Sequence, residues 1–197
     1  ALRCGRFRAG PDAVDLAAAG EPPFWVAAGE FAQPGADGNR ALRELVRAGA
    51  QARGLRVLEL YAGAGNFTRD LAADASALTA VEGAAAAVAL LRRNLPTVPV
   101  EHAPVLRAVR VRARRGERWD VVVLDPPREG AREVCAQVGE LGATRVVYVS
   151  CDPMTLARDL RTLEAAGYVL VRATPVDLMP QTFHVETVAV LTRAASG

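Results

Sequence analysis

The chain contains no lysine, so arginine supplies all 24 of its basic side chains. Because 22 acidic residues nearly balance them, the formal net charge is only +2 over 197 residues. No uninterrupted apolar run could span a bilayer, and Arg3, Arg6 and Arg8 are not followed by the apolar core of a secretory signal. We therefore expect a cytoplasmic protein with no membrane partner. A charge this mild does not exclude a local nucleic-acid-binding patch.

Cysteine and histidine are also scarce. The three cysteines, Cys4, Cys135 and Cys151, have neither the spacing of a metal site nor that of a disulfide framework. Cys135 lies in a helical pattern and is expected in the core. His102 and His184 have no neighbouring ligands in the sequence, so no metal ion is expected.

Near-continuous apolar strands alternate with helical patterns from about residue 31 onward. This alternation predicts an α/β fold built on a doubly wound, mostly parallel sheet. No helix separates the last two strand patterns, 168–173 and 185–191, so we expect them to be antiparallel neighbours. In the first helix, Asn39 is the expected N-cap and Gly49 the expected end.

The length of the chain suits one domain with a full hydrophobic core. Residues 1–30 are short apolar pieces broken by glycine and proline, and we interpret them as the remnant of a preceding β-rich or central region. Residues 31–197 would then form the main domain. The arginine-rich segment 107–118 has two interpretations, a solvated helix face or an RNA-binding track.

Gly63-Ala64-Gly65 lies where the first strand of the predicted sheet turns into its helix, a place at which backbone must approach a ligand closely. Glu82 ends the next strand, where a carboxylate can bind ribose hydroxyls. The third glycine of a dinucleotide fingerprint is missing, since Thr68 stands in its place. A nucleoside cofactor without phosphates, such as S-adenosylmethionine, fits better than a dinucleotide. Glycines at such turns can also be purely structural.

The fourth strand ends in residues 125–128, DPPR, which would face the same crevice. One interpretation is a plain strand-to-helix turn stiffened by its prolines. Another is the D-P-P-aromatic signature of enzymes that methylate exocyclic amino groups, in which the aromatic ring stacks on the base. Arg128 occupies the aromatic position, and the amino-methylation hypothesis loses most of its support on that residue.

Residues 148–153, YVSCDP, form a strand pattern that ends in a thiol, and Pro153 then opens a helical pattern. Ligands bind at the carboxyl ends of strands in an open α/β sheet, so Cys151 is placed to act as a nucleophile. The alternative is a small buried hydrophobic residue, the usual state of a free cysteine. The local pattern leaves both interpretations open.

Five blocks of sequence, taken together, resemble the RNA uracil-C5 methyltransferases, which make 5-methyluridine in tRNA and 23S rRNA. Their order and spacing are more specific than any single motif, and they extend from about residue 31 to the end of the chain. The block around Cys151 is closer to the rRNA-modifying branch than to the tRNA branch. The blocks are Phe31-x-Gln33 with Asn39 and Leu42, 59–67 (ELYAGAGNF), 125–130 (DPPREG), 148–160 (YVSCDPMTLARDL) and 177–186 (DLMPQTFHVE).

This resemblance implies a Rossmann-like class I S-adenosylmethionine-dependent methyltransferase, with a seven-stranded sheet and an antiparallel C-terminal strand. Cys151 would be the nucleophile and Glu186 the base, although Glu186 taken alone could be an exposed strand residue. The implied substrate is RNA, 23S rRNA ahead of tRNA, bound by a monomer. The residues expected to hold S-adenosylmethionine are Gln33, Tyr61, Gly63, Asn66, Glu82 and Asp125.

The chemistry of C5 methylation agrees with these residue types. C5 of uracil is a poor nucleophile, but addition of a thiolate at C6 gives an enolate with electron density on C5. After C5 takes the methyl group, a base must remove the C5 proton so that the cysteine can be eliminated. Nearby arginines and the start of the Met154 helix would help the thiolate to form.

The sequence also departs from the family pattern. Gly35 stands where a second asparagine is usual, and residues 101–104, EHAP, lack the usual acid after the third strand. Cys4 is alone, so no iron–sulfur cluster is expected. Two other functions stay open: a base amino-group methyltransferase, which would give Cys151 no role, and a non-catalytic RNA- or cofactor-binding module.

Overall fold

The structure, a computed structural model, describes residues 2–4, 7–9, 13–17, 21–27, 35–178 and 185–194. The helices are α1 Ala36–Ala50, α2 Thr68–Asp74, α3 Ala85–Asn94, α4 Val105–Arg114, α5 Arg132–Val138 and α6 Pro153–Ala165, with a 3-10 turn at Gly139–Leu141. The strands are β1 Leu2–Cys4, β2 Phe7–Ala9, β3 Ala13–Asp15, β4 Trp25–Ala27, β5 Arg56–Leu60, β6 Ala77–Glu82, β7 Val100–His102, β8 Val121–Leu124, β9 Arg145–Ser150, β10 Tyr168–Val176 and β11 Glu186–Arg193.

Seven of the strands form one sheet in the order β10-β11-β9-β8-β5-β6-β7. The five strands from β5 to β9 are parallel, whereas β11 is antiparallel to both β9 and β10. The predicted α/β fold is therefore confirmed, including its antiparallel C-terminal strand. From β5 the chain moves outward through β6 and β7, then returns to β8 on the other side. Ligands bind at such a switch point, outside the carboxyl ends of the strands.

Strand β8 shows why the sheet is buried on both faces. Its four residues are all fully buried, and alternate ones belong to different hydrophobic layers. Val122 and Leu124 pack with α4, α5 and α6, whereas Val121 and Val123 pack with α1, α2 and α3. Side chains alternate along a strand, so an unbroken apolar run is what two covered faces require.

Helix α1 begins earlier than predicted, and Asn39 as its N-cap is wrong. The helix starts at Ala36, with Gly35 at the N-cap position, and the Asn39 N–H donates to the Gly35 carbonyl at 3.0 Å. Asn39 lies within the first turns because its side chain has a tertiary partner. Its amide and that of Asn66 bond reciprocally, at 3.0 and 2.8 Å.

Residues 1–30 contain two small antiparallel sheets, β1–β2 and β3–β4, as the glycine-broken pattern led us to expect. Their interpretation as the remnant of a preceding region stays a prediction. In the described part of the chain, no helix has the length and hydropathy needed to cross a membrane.

Candidate active site

Four residues from distant parts of the sequence lie at the end of the sheet where the parallel strands have their carboxyl ends. Tyr61, Asp125 and Cys151 directly follow the parallel strands β5, β8 and β9, while Glu186 opens β11. Because β11 runs in the opposite direction, its first residue lies beside the last residues of its neighbours. Its ladder with β9 ends at the pair Thr187–Ser150, so Glu186 and Cys151 lie next to each other's strand just beyond that pair. The fold thus places a thiol, two carboxylates and a phenol together.

A cleft opens between the end of β5 and the start of α1. It lies outside the carboxyl end of a parallel strand, where ligands bind in open α/β sheets. Four of the expected cofactor residues line it, and Asn39 lines it as well. The four are Tyr61, Gly63, Asn66 and Asp125. Gln33, expected beside them, lies outside the described residues.

The two glycines at the cleft are needed for different physical reasons. Gly63 has φ +56°, and a Cβ added there would meet no atom within 4 Å, so its open side faces the cleft. Gly65 has φ +98°, and its Cβ would come within 2.5 Å of the Leu91 side chain on α3. Gly63 therefore leaves open space, whereas Gly65 lets a helix pack. The structural interpretation applies to Gly65, and ligand binding at Gly63 stays a prediction.

Glu82 holds the same turn in place. One of its carboxylate oxygens accepts the Gly63 N–H at 2.9 Å, and the other accepts the Ala84 N–H at 2.7 Å. Each carboxylate oxygen can accept a second hydrogen bond. Glu82 can thus fix the turn and still accept from hydroxyl groups, although it does not itself line the cleft. Its role in cofactor binding stays a prediction.

Tyr61 has φ 61°, a left-handed conformation that is rare for a bulky residue. Strained backbone of this kind is concentrated at ligand sites. Burial raises the pKa of Tyr61 to about 12. Its hydroxyl therefore stays protonated at neutral pH and can donate a hydrogen bond within the cleft.

The charges of the two carboxylates affect the pKa values of neighbouring groups in the site. Burial raises the pKa of Asp125 to about 8, and the charge of Glu186 adds to this effect. Glu186 is only 3% exposed, and burial raises its pKa as well. The interpretation of Glu186 as an exposed strand residue is therefore wrong. For Cys151, burial and the Glu186 charge raise the pKa, and Arg128, which lowers it as predicted, does not outweigh them.

Comparisons of the sequence and of the fold with known proteins indicate the same family. Residues 106–194 match the family model described as tRNA (Uracil-5-)-methyltransferase. The 23S rRNA (uracil(1939)-C(5))-methyltransferase RlmD of Pseudomonas entomophila is 45% identical over 139 residues, covering 68% of this chain and 31% of the relative. That of Alkalilimnicola ehrlichii is 42% identical over 174 residues, covering 85% and 39%. The chain belongs to the RNA uracil-C5 methyltransferase family.

A solved member of this family shares the fold. The tRNA (uracil-54, C5)-methyltransferase of Pyrococcus abyssi, in complex with S-adenosyl-L-homocysteine, has a TM-score of 0.76 and 25% identity, covering 93% of this chain and 45% of that one. A SAM-dependent methyltransferase from Agrobacterium tumefaciens matches in fold alone, with a TM-score of 0.70 and 14% identity, covering 96% and 72%. The Rossmann-like class I fold is therefore confirmed. The chain spans only 31% and 39% of the length of the two RlmD relatives named above.

The cleft fits the cofactor of the uracil-C5 methyltransferases. The open side of Gly63 allows close approach to the backbone, and the free lone pairs of Glu82 can accept from hydroxyl groups. Asn39 and Asn66 use one N–H and one lone pair each in their reciprocal bonds. Each amide keeps another N–H and another lone pair for a ligand. These groups can donate and accept the hydrogen bonds that a nucleoside requires.

The segment after Cys151, part of the family's longest block, begins α6 with a well-formed cap. The Asp152 side chain accepts the N–H groups of Met154 and Thr155 at 2.9 Å each, and Pro153 occupies the first helical turn. The thiol therefore lies just before the positive end of a 13-residue helix. That position stabilises a thiolate once one forms.

The arginine-rich segment of this family member is only partly a solvated face. Arg112 is 7% exposed and donates to Glu101 at 2.6 Å, so it belongs to the buried side of α4. Arg110 contacts Glu133 at 3.2 Å.

Cys135 is fully buried, as predicted. Within the described residues, no group of three or more histidine, cysteine and acidic side chains could hold a metal ion.

Sequence patterns missed part of the cleft. Leu16, Phe24 and Val26, from the β3–β4 hairpin, line it together with the glycine turn. These residues belong to no motif, so no local signal could have identified them. Asn39 was part of a family block, but its amide pair with Asn66 depends on the tertiary fold.

Proposed function

We propose that this chain transfers a methyl group from S-adenosylmethionine to C5 of a uridine in RNA, through a covalent bond between Cys151 and C6. The observation that carries this proposal is the position of Cys151 near Glu186, beside a cleft with the expected cofactor residues. Asp125 links the two parts, because it lines the cleft, its charge raises the pKa of Cys151, and its own pKa is raised by the charge of Glu186.

The bound cofactor would supply an electrophilic methyl group on a sulfonium centre. In this proposal Tyr61, Gly63, Asn66 and Asp125 contact it from the walls of the cleft, and Glu82 accepts from its ribose hydroxyls. These assignments are supported by the open side of Gly63 and the protonated Tyr61 hydroxyl. Gln33 is proposed as a further contact on the strength of the family block alone.

The residues of the chain perform the steps on uracil. The Cys151 thiolate bonds to C6, and the electrons of the C5–C6 double bond move towards the O4 carbonyl as an enolate. C5 would then take the methyl group, and the bond between that carbon and the sulfonium sulfur of the cofactor would break. Glu186 removes the C5 proton, the double bond re-forms and the C6–S bond breaks, which returns the thiolate. Burial suits Glu186 to this role because a carboxylate with a raised pKa is a stronger base.

We further propose 23S rRNA as the substrate, ahead of tRNA. The support is the higher identity to enzymes named for 23S rRNA, 45% and 42%, than to the tRNA enzyme, 25%. The target uridine would have to be unstacked, since C5 and C6 cannot be reached inside a helix. Binding as a monomer in the cytoplasm remains part of the same proposal.

Covalent trapping tests this function directly. The chain is incubated with S-adenosylmethionine and a 23S rRNA fragment that carries 5-fluorouridine at the position named for the relatives, with a tRNA as the competing substrate. Fluorine cannot be removed as a proton, so we expect a stable adduct that maps to Cys151 by mass spectrometry. With ordinary RNA, Glu186→Gln should accumulate the methylated Cys151–C6 adduct, because no base removes the C5 proton.

Cys151→Ala separates the proposal from its rivals. We expect no adduct and no 5-methyluridine from this variant. Full methyl transfer by Cys151→Ala would support a base amino-group methyltransferase instead. Binding of S-adenosylhomocysteine without methyl transfer to any RNA would indicate a non-catalytic module.

A further inference from the structure

The β3–β4 hairpin packs against the same cleft as the glycine turn. Phe24 and Val26 are each 6% exposed, and both line the cleft together with Leu16. The Asp15 carboxylate accepts the Phe24 N–H at 2.8 Å, and the Leu16 N–H donates to the Phe24 carbonyl at 2.8 Å. The hairpin therefore presents an apolar surface to a cavity whose other walls include the polar side chains of Asn39, Asn66 and Asp125.

One asparagine fastens this hairpin to the glycine turn. The Asn94 side chain, at the end of α3, accepts the Trp25 N–H at 2.9 Å and donates to the Trp25 carbonyl at 2.9 Å. The same amide nitrogen donates to the Ala64 carbonyl at 2.9 Å. Arg93 adds a cation–π contact, 4.1 Å from the Trp25 ring centre. A single side chain thus sets the separation between hairpin and turn.

The opposite side of the hairpin is held by charged groups of α1 and α2. Glu21 contacts Arg43 and Arg69, each at 3.0 Å. The Arg69 guanidinium also lies 4.6 Å from the centre of the Phe24 ring. Three helices therefore hold the hairpin in place, which gives its apolar side chains a fixed position over the cleft.

We propose that the β3–β4 hairpin is part of the S-adenosylmethionine site. Leu16, Phe24 and Val26 form an apolar wall that packs against the aliphatic carbons of the bound cofactor. Asn94 is a positioning residue, because it sets this wall and the Gly63–Gly65 turn at one spacing without lining the cleft. The inference rests on the proposed function and deepens it, since it assigns cofactor contacts outside the sheet and its crossover helices.

Calorimetric titration of the 197-residue chain with S-adenosylhomocysteine tests the wall. Leu16→Ala and Phe24→Ala should each weaken binding, by roughly tenfold for a lost apolar contact of this size. Leu16 is 45% exposed, so its truncation should not unfold the chain. Val14→Ala is the matched control, since Val14 is on the same hairpin, 40% exposed, and does not line the cleft. Its affinity should equal that of wild type.

Hydrogen exchange tests the positioning role of Asn94. In wild type, S-adenosylhomocysteine should increase amide protection over residues 21–27. Asn94→Ala should lose this ligand-dependent protection and weaken binding. Asn94→Asp keeps an acceptor for the Trp25 N–H but not the donated bonds, and should be intermediate. A merely structural residue would change the melting temperature without changing the ligand-dependent protection.

Equal affinity of wild type, Leu16→Ala and Phe24→Ala, with no ligand-dependent protection of the hairpin, would overturn the inference. That result is distinct from failure of the proposed function. If the hairpin does not contact the cofactor but the proposed function is right, the wild-type chain would still form the 5-fluorouridine adduct at Cys151. A chain that binds S-adenosylhomocysteine through the wall but forms no adduct would overturn the function alone.

Discussion

Glu186 and Cys151 lie directly beyond the end of the β9–β11 ladder, Glu186 at the start of β11 and Cys151 just after β9. The last pair of that ladder is Thr187 with Ser150. The charge of Glu186 is close enough to raise the pKa of Cys151. The pairing of two strands therefore brings the proposed base near the proposed nucleophile.

This relationship predicts how the thiol titrates. After burial, the charge of Glu186 is the next largest cause that raises the pKa of Cys151. Glu186→Gln removes that charge, so the thiolate should form at lower pH. We expect the pH midpoint of Cys151 alkylation by iodoacetamide, followed by peptide mass spectrometry, to fall in this variant.

Cys135 serves as the internal control for that measurement. It is fully buried, and burial raises its pKa far more strongly, so it should stay unmodified in the folded chain. Arg128→Ala should shift the Cys151 midpoint in the opposite direction, because Arg128 lowers the pKa. A midpoint unchanged by Glu186→Gln would show that the two groups do not interact.

A second prediction concerns Glu59, at the centre of β5. It is 1% exposed, and hydrogen bonding from Thr68, which lowers its pKa, does not offset the effect of burial. Burial raises its pKa from 4.5 to about 8. The folded chain therefore binds more protons than the unfolded chain between these values, and the free energy of unfolding falls as pH rises through this window.

Glu59→Gln removes this titration. The variant should match wild type near pH 5 and be more stable near pH 9, with a difference that grows by at most about 1.4 kcal/mol per pH unit. Urea unfolding across this range measures it. Glu44→Gln, at an exposed position of α1, is the control and should keep the wild-type slope. A Glu59→Gln variant with the wild-type slope would contradict the prediction.

The sequence predicted the sheet well because its signals are local. Apolar runs ending in Tyr61, Asp125 and Cys151 identify parallel strands, and parallel strands share one carboxyl edge. The features that the sequence patterns did not predict depend on contacts between residues far apart in the chain. Asn39 is not a cap because Asn66 pairs with its amide. The apolar wall of the cleft depends on Asn94, which bonds across 69 positions of the chain and belongs to no motif.

Asp159 carries a third prediction, because it joins α6 to the loop after Asp125. It is fully buried and accepts the Tyr148 hydroxyl at 2.7 Å, the Ala131 N–H at 2.5 Å and the Arg158 Nε–H at 2.8 Å. Asp159→Ala would leave all three donors without this acceptor. We expect a loss of about 3–5 kcal/mol in the free energy of unfolding, measured in urea.

Tyr148→Phe is the matched comparison, since it removes one of these bonds and keeps the ring. Its cost should be about 1 kcal/mol. The double variant should cost less than the sum of the two, because the Tyr148 bond is already absent without Asp159. Additive losses, or an Asp159→Ala loss as small as that of Tyr148→Phe, would show that Asp159 does not hold the loop.

The two glycines of the cleft offer the sharpest separation of stability from ligand binding. In Gly65→Ala the new methyl overlaps Leu91, and overpacking of this kind costs about 1–3 kcal/mol, so the melting temperature should fall. In Gly63→Ala the methyl enters open space, so the left-handed backbone, at about 1–2 kcal/mol, is the main cost, whereas Gly65→Ala adds overpacking to a similar strain. Gly63 lines the cleft, so Gly63→Ala should weaken S-adenosylhomocysteine binding and lower the melting temperature less than Gly65→Ala does. If Gly63→Ala bound the ligand as wild type does, Gly63 would not face the cofactor.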